Sequence, residues 1–140
     1  MKTRPYTREE LGHRLRSHGI TPTLQRVEIA HSLFAHGEHV SADQVFALVN
    51  RRGARTSKAT VYNTLNLFLW KKLIRQVLVD PDRIFYDPNV APHHHLYDVE
   101  TGELTDIDGT NVRVSGLPPL PKGVSAEGVE IIVRVRSRPR

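Results

Sequence analysis

The chain has 140 residues, no cysteine and a formal net charge of +5. That length holds one ordinary domain or two small ones, and the missing cysteines exclude disulfides, thiolate zinc sites, thiol nucleophiles and cysteine-based redox sensing. Residues 1–75 carry 13 Lys or Arg against 5 Asp or Glu, and residues 76–140 carry 7 against 10, so a basic half suited to a polyanion such as DNA precedes an acidic, histidine-bearing half suited to cations.

The stretch after Met1 turns polar and charged at once. No apolar run has the length of a signal peptide or a membrane span, which predicts a cytoplasmic chain with no membrane partner. Thr7 with Glu10 makes a capping box for a first helix with Leu11 and Leu15 inward, and Gly19 ends it. Thr21 reads as the N-cap and Pro22 as the first position of a second helix, with Leu24, Val27, Ala30, Leu33 and Phe34 at helical spacing and Gly37 as its stop. Ser41 with Gln44 opens a third helix with Ala42, Val45, Leu48 and Val49 inward, closed by Asn50 to Gly53.

A fourth helix starts near Ser57 and ends around Trp70 to Lys72. Val61, Leu65, Phe68 and Leu69 share its inner side, which turns Ala59, Thr60 and Asn63 outward and leaves Tyr62 at the edge. Two β-rich runs follow, Leu73 to Val79 and Arg83 to Tyr86, split by the turn residues Asp80, Pro81 and Asp82. Helices followed by a hairpin describe a winged helix. Beyond Pro88 come three short strands, His93 to Val99, Leu104 to Ile107 and Val129 to Val135, with a Gly- and Pro-rich loop over Ser115 to Gly128. So few strands make a thin core and leave an apolar edge, which predicts pairing with a second copy of the chain.

The fold expected is therefore α+β: a winged helix-turn-helix domain over residues 1–87, then a small α/β metal-binding dimerisation domain over 88–140. The fourth helix has a small, polar outer face flanked by Arg51, Arg52, Arg55, Lys58, Lys71 and Lys72. Such a face admits close approach in the major groove, where Thr60 and Asn63 meet base edges and Arg55 and Lys58 meet phosphates. His93 and His95 lie two apart on a strand and share a face, with His94 on the other. Imidazoles beside carboxylates, without sulfur, suit Fe(II), Mn(II), Co(II) or Zn(II).

Lys58-Ala59-Thr60-Val61-Tyr62-Asn63-Thr64-Leu65 resembles the recognition helix of the ferric uptake regulator family, and His39-Val40-Ser41-Ala42-Asp43 the segment opening the helix before it. With Pro22-Thr23-Leu24-Gln25-Arg26 and the histidine cluster, the resemblance covers residues 15–110. It implies a dimeric, metal-dependent regulator, using iron or manganese, on palindromic operator DNA. It places Tyr62 and Arg26 at the DNA and matches a metal site to His39, Asp87, His93, His95 and Asp106.

Aspartate at both 87 and 106 is closer to the peroxide-responsive branch, which implies release of DNA through metal-catalysed oxidation of a ligand. The chain also resembles the family's iron response regulators, which adds haem as an effector and His94 as its cofactor ligand, although their Cys-Pro motif is missing here. The family's structural zinc is excluded, because the first of its Cys-x-x-Cys pairs reads Asp98 and Thr101. Two other readings stay open on the residues alone. One is a mononuclear non-haem iron enzyme using two histidines and a carboxylate; the other is a winged helix that binds DNA without metal.

Overall fold

The computed structural model describes residues 6–36, 39–51, 55–91, 93–108 and 111–137. In chain order these form α1 (Arg8–Ser17), α2 (Leu24–His36), α3 (Ala42–Asn50), α4 (Lys58–Trp70), β1 (Arg75–Asp80), β2 (Arg83–Asp87), β3 (His94–Asp98), β4 (Leu104–Ile107) and β5 (Ile132–Val135). The backbone divides into two compact units, Met1–Val90 and Ala91–Arg140. No helix among the described residues is long and apolar enough to cross a membrane.

Local chemistry sets the ends of the helices in the first unit. Thr7 accepts from the Glu10 N–H at 3.1 Å while Glu10 accepts from the Thr7 N–H at 3.3 Å, so two donors that the first turn leaves unpaired are satisfied reciprocally. Ser41 and Gln44 repeat the device on α3, at 3.2 and 2.8 Å. After α1 the chain turns through Gly19 at φ 74°, and the Ile20 N–H returns to the Leu15 carbonyl at 2.9 Å, a left-handed stop that glycine makes without a Cβ clash.

The second helix corrects the sequence reading. It starts at Leu24, not after Thr21, because the Thr21 carbonyl is taken by the Thr23 N–H at 3.0 Å and by the Arg26 guanidinium at 2.9 Å. Thr23 is the working cap, accepting from the Arg26 N–H at 3.3 Å. Leu24 consequently points outward and is 79% exposed, which removes it from the inward stripe. The stops assigned to Gly37 and Gly53 lie outside the described residues, as does Arg52.

Leu11, Leu15, Ile29, Leu33, Val45, Val61, Leu65 and Phe68 are all essentially inaccessible and form one core shared by α1 to α4. At ~25 cal/mol per Å² of apolar surface, burying one such side chain stabilises by about 1.5–3 kcal/mol. A two-point Arg8–Glu28 ion pair, at 2.6 and 3.1 Å, links α1 to α2 outside it. The hairpin β1–β2 is antiparallel with Val77 opposite Phe85 and a bulge between Leu78 and Asp80. Val77 and Val79 turn inward, whereas Leu78 and Ile84 face each other on the solvent side.

In the second unit the sheet order is β4-β3-β5. The β3–β4 pair is antiparallel, with His95 opposite Asp106; β5 runs parallel to β3, with His95 opposite Ile132. The last strand begins at Ile132, not Val129, and among the described residues this unit contains no α-helix, so the helical part of the expected α/β domain is not found there. The connection holds Pro118, Pro119 and Pro121, with Gly116 and Gly123 at positive φ, a composition that a helix does not tolerate.

Asp98 and Thr101, where the resemblance would put a cysteine pair, build the β3–β4 turn. Asp98 Oδ1 accepts from the Glu100 and Thr101 N–H groups at 2.8 and 3.2 Å, and its Oδ2 accepts from the Ser137 hydroxyl. Glu100 also pairs with Arg136. These links join the turn to the end of β5, fixing locally what a metal would fix with thiolates.

Candidate metal centre and nucleic-acid face

Apart from Arg26 on α2, the described members of the candidate DNA face lie on or beside α3 and α4, and hydrogen bonds fix how those two helices meet. Asn50 donates to the Phe46 and Thr56 carbonyls at 2.9 and 3.0 Å and accepts from the Thr56 N–H at 2.8 Å. One side chain thus ties the end of α3 to the approach to α4. The sequence signal for it was only a helix-closing asparagine.

At the start of α4, Ser57 accepts from the Thr60 N–H at 3.1 Å and its hydroxyl donates to Thr60 Oγ1 at 2.9 Å. Thr60 is therefore half-buried in the cap, not wholly presented to solvent. Lys58 pairs with Asp43 of α3 at 3.5 Å and stands 5.9 Å from the Phe46 ring centre. Asn63 and Arg55 are exposed, and Tyr62 is 42% exposed. Arg26 is half-buried, with one arm held by the Thr21 carbonyl. Burial pushes the phenol of Tyr86 on β2 above its ordinary range, and Tyr62 adds to the rise.

In the first unit, the candidate ligands are held by an isolated bridge. The Val40 N–H donates to the Tyr86 carbonyl at 3.2 Å and the Tyr86 N–H to the Val40 carbonyl at 2.7 Å, placing the neighbours His39 and Asp87 together. His39 Nε2 lies 3.0 Å from Asp87 Oδ2, with both side chains buried. The other Asp87 oxygen accepts from the Asn89 N–H at 2.9 Å.

The second unit brings together the other three. His93 and His95 rings stand 4.5 Å apart, and each Nε2 is 3.3 Å from Asp106 Oδ1. His93 Nδ1 meets the Ala91 carbonyl at 2.6 Å, and His95 Nδ1 lies 3.2 Å from Glu130 Oε1. The Ala91 carbonyl sets the proton of His93 on Nδ1, whereas His95 has a carboxylate oxygen beside each of its nitrogens. In each unit, imidazole nitrogens beside a carboxylate, without sulfur, are a donor type that suits divalent first-row ions.

His94 is arranged the opposite way. Its Nδ1 accepts from the Ile131 N–H at 3.0 Å, so the neutral ring carries its proton on Nε2 and offers no free lone pair. Glu130 was not singled out from the sequence. It precedes β5 by two residues, and only the parallel β3–β5 register brings it to His95.

Residues 17–118 match the model of the ferric uptake regulator family. The chain belongs to this family. Within it, the chain is 30% identical over 115 residues to the ferric uptake regulation protein of Synechococcus elongatus, 79% of this chain and 78% of that relative. It is 26% identical over 92 residues to the peroxide-responsive repressor PerR of Staphylococcus epidermidis, 66% of this chain. That match spans 61% of the repressor's length.

Among solved structures, the ferric uptake regulator of Pseudomonas aeruginosa with manganese superposes with a TM-score of 0.70 at 25% identity, over 91% of this chain and 98% of that one. The Campylobacter jejuni peroxide stress regulator superposes with a TM-score of 0.62 at 17% identity, over 94% and 96%. The latter likeness is one of fold.

Proposed function

We propose that this chain is a metal-dependent transcription regulator that binds palindromic double-stranded DNA as a homodimer in the cytoplasm. The observation that carries the reading is the convergence of the His93 and His95 Nε2 atoms on Asp106, with the His93 ring held through Nδ1 by the Ala91 carbonyl and Glu130 beside the His95 Nδ1. A divalent cation, Fe(II) or Mn(II), with Zn(II) also compatible, would supply the positive charge that this donor set lacks.

In this reading His39 and Asp87 contribute from the first unit, and His93, His95 and Asp106 from the second. Their shared preference for one cation biases the two units toward one disposition, and differential affinity for that disposition is the switch. Asn63, Tyr62 and Thr60 present the polar side of α4 to base edges, while Arg55, Lys58 and Arg26 meet phosphates. Two copies joined along the second unit would set two α4 helices at the spacing of successive major grooves. The exposed Val129, Val133 and Val135 support that surface.

Peroxide responsiveness belongs by name to several relatives and comes to this chain as part of the proposal, through the nitrogen and oxygen donors alone. His94 is left out of the ligand set, and haem with it, for the tautomer reason above. Nothing in the three-stranded sheet favours the enzyme reading.

The test uses duplex DNA selected by the wild-type protein from a random pool in Mn(II), followed by mobility shifts with and without Mn(II). The expected result is binding that needs Mn(II) and loses that dependence in the double variant His93→Ala, His95→Ala. Equal metal dependence in wild type and double variant would overturn the proposal.

A further inference from the structure

The strongest unassigned feature is the carboxylate on the far side of His95. The ring of His95 is fully buried at the centre of the β4-β3-β5 sheet, with Asp106 of β4 against one nitrogen and Glu130 against the other. We infer that Glu130 is a positioning residue for the metal centre: it holds the His95 proton on Nδ1 and so aims the Nε2 lone pair at the cation. The inference rests on the metal-centre reading and assigns within it a residue that touches no ion.

A neutral imidazole ring has one protonated nitrogen and one lone pair, and the two tautomers lie close in energy in water. Inside a sheet the neighbouring acceptors decide. His93 is set by the Ala91 carbonyl, a neutral acceptor at 2.6 Å. His95 Nδ1 has the Glu130 carboxylate 3.2 Å away, and once Nε2 is given to a cation, a charge-assisted bond to that carboxylate is the one open to the Nδ1 proton.

The backbone keeps the two groups together. The His95 N–H donates to the Ile131 carbonyl at 3.0 Å, and the Ile131 N–H donates to His94 Nδ1 at 3.0 Å. Glu130 sits immediately before this double anchor, so its reach toward His95 follows from the parallel register and not from a mobile tail. The partly exposed Glu130 side chain, 30% accessible, closes the solvent side of a fully inaccessible ring.

Outer carboxylates of this kind typically change metal affinity by about 10- to 100-fold when removed. The experiment compares wild type, Glu130→Ala and Glu130→Gln by Mn(II) titration calorimetry and by long-range proton–nitrogen NMR of the histidine rings in the metal-free protein. The wild type is expected to show His95 in the Nδ1–H form. Glu130→Ala is expected to lose about 10- to 100-fold in Mn(II) affinity and to leave that form, and Glu130→Gln, whose amide oxygen still accepts, to keep it and recover part of the affinity. Glu130→Met removes the acceptor at similar length should alanine disturb β5.

A wild type that takes up no Mn(II) overturns the metal-centre reading and this inference with it. A wild type that binds, beside an alanine variant with equal affinity and an unchanged His95 tautomer, overturns the inference alone. Equal loss in the alanine and glutamine variants with the His95 tautomer intact makes Glu130 a direct ligand, which also overturns it.

Discussion

The first unit buries leucine, isoleucine, valine and phenylalanine from four helices, whereas the second buries histidine. Among the described residues of the second unit, Tyr97 and Leu104 are the buried apolar side chains, and His93 and His95 are buried beside them. Leu117, Leu120, Val124, Val129, Val133 and Val135 face outward, and Leu96, Ile107, Ile131 and Ile132 are only half-buried. The lesson is a division of stabilising forces. Hydrophobic burial is sufficient to hold the helical unit, while the sheet depends on polar pairs and on whatever covers its outer faces.

The sharpest way to break that comparison is to cut a large side chain from each unit. Phe68→Ala leaves a hole in a fully closed core and is expected to cost about 3–5 kcal/mol in urea unfolding; Val133→Ala, already 41% exposed, should lose far less in the isolated chain. Equal losses would refute the contrast. Next in size is the effect of metal: free Mn(II) at 100 times its dissociation constant is expected to stabilise the wild type by about 2.7 kcal/mol, read as a rise in the thermal midpoint. His95→Ala should abolish that rise and leave α1 to α4 helical by circular dichroism.

Much of the helical unit was legible because its signals are local. The pairs Thr7 with Glu10 and Ser41 with Gln44 each satisfy donors three residues apart, and that spacing is visible in a string of letters. Thr21 misled for the same reason: a threonine before proline is a sound cap until a neighbouring cap and a guanidinium claim its carbonyl. The candidate ligands were found through residue type and resemblance to a family. Glu130 was not, since nothing short of the parallel β3–β5 pairing connects it to His95 across the Gly- and Pro-rich stretch.

Asn50 offers a smaller test on the first unit. Its amide satisfies groups at both ends of the α3–α4 connection, so Asn50→Ala is expected to cost about 1–2 kcal/mol and to weaken DNA binding by loosening α4. Unchanged stability in urea would remove it from that role.

The smallest expected effect lies at the β3–β4 turn. The Ser137 hydroxyl holds the Asp98 carboxyl below its ordinary value. A depressed folded-state value contributes stability above the ordinary carboxylate range and loses it as pH falls through the folded one. Ser137→Ala should therefore flatten the acid limb of the stability profile slightly and leave neutral-pH helicity unchanged. An acid limb identical to wild type would remove Asp98 from the set of groups that replace the cysteine zinc.

The parallel pairing of β3 with β5 has a consequence in time. The backbone of Ile131 meets the ring of His94 across 37 residues of chain, and at ~5–20 residues per second of synthesis that gap is roughly 2–7 s. During it, the helices of the first unit have every neighbour they need, while His95 has been made and Glu130 has not. A nascent chain therefore passes through an interval in which the four helices are complete and the surroundings of His95 are not. On the proposed function, control by a metal begins only when β5 arrives.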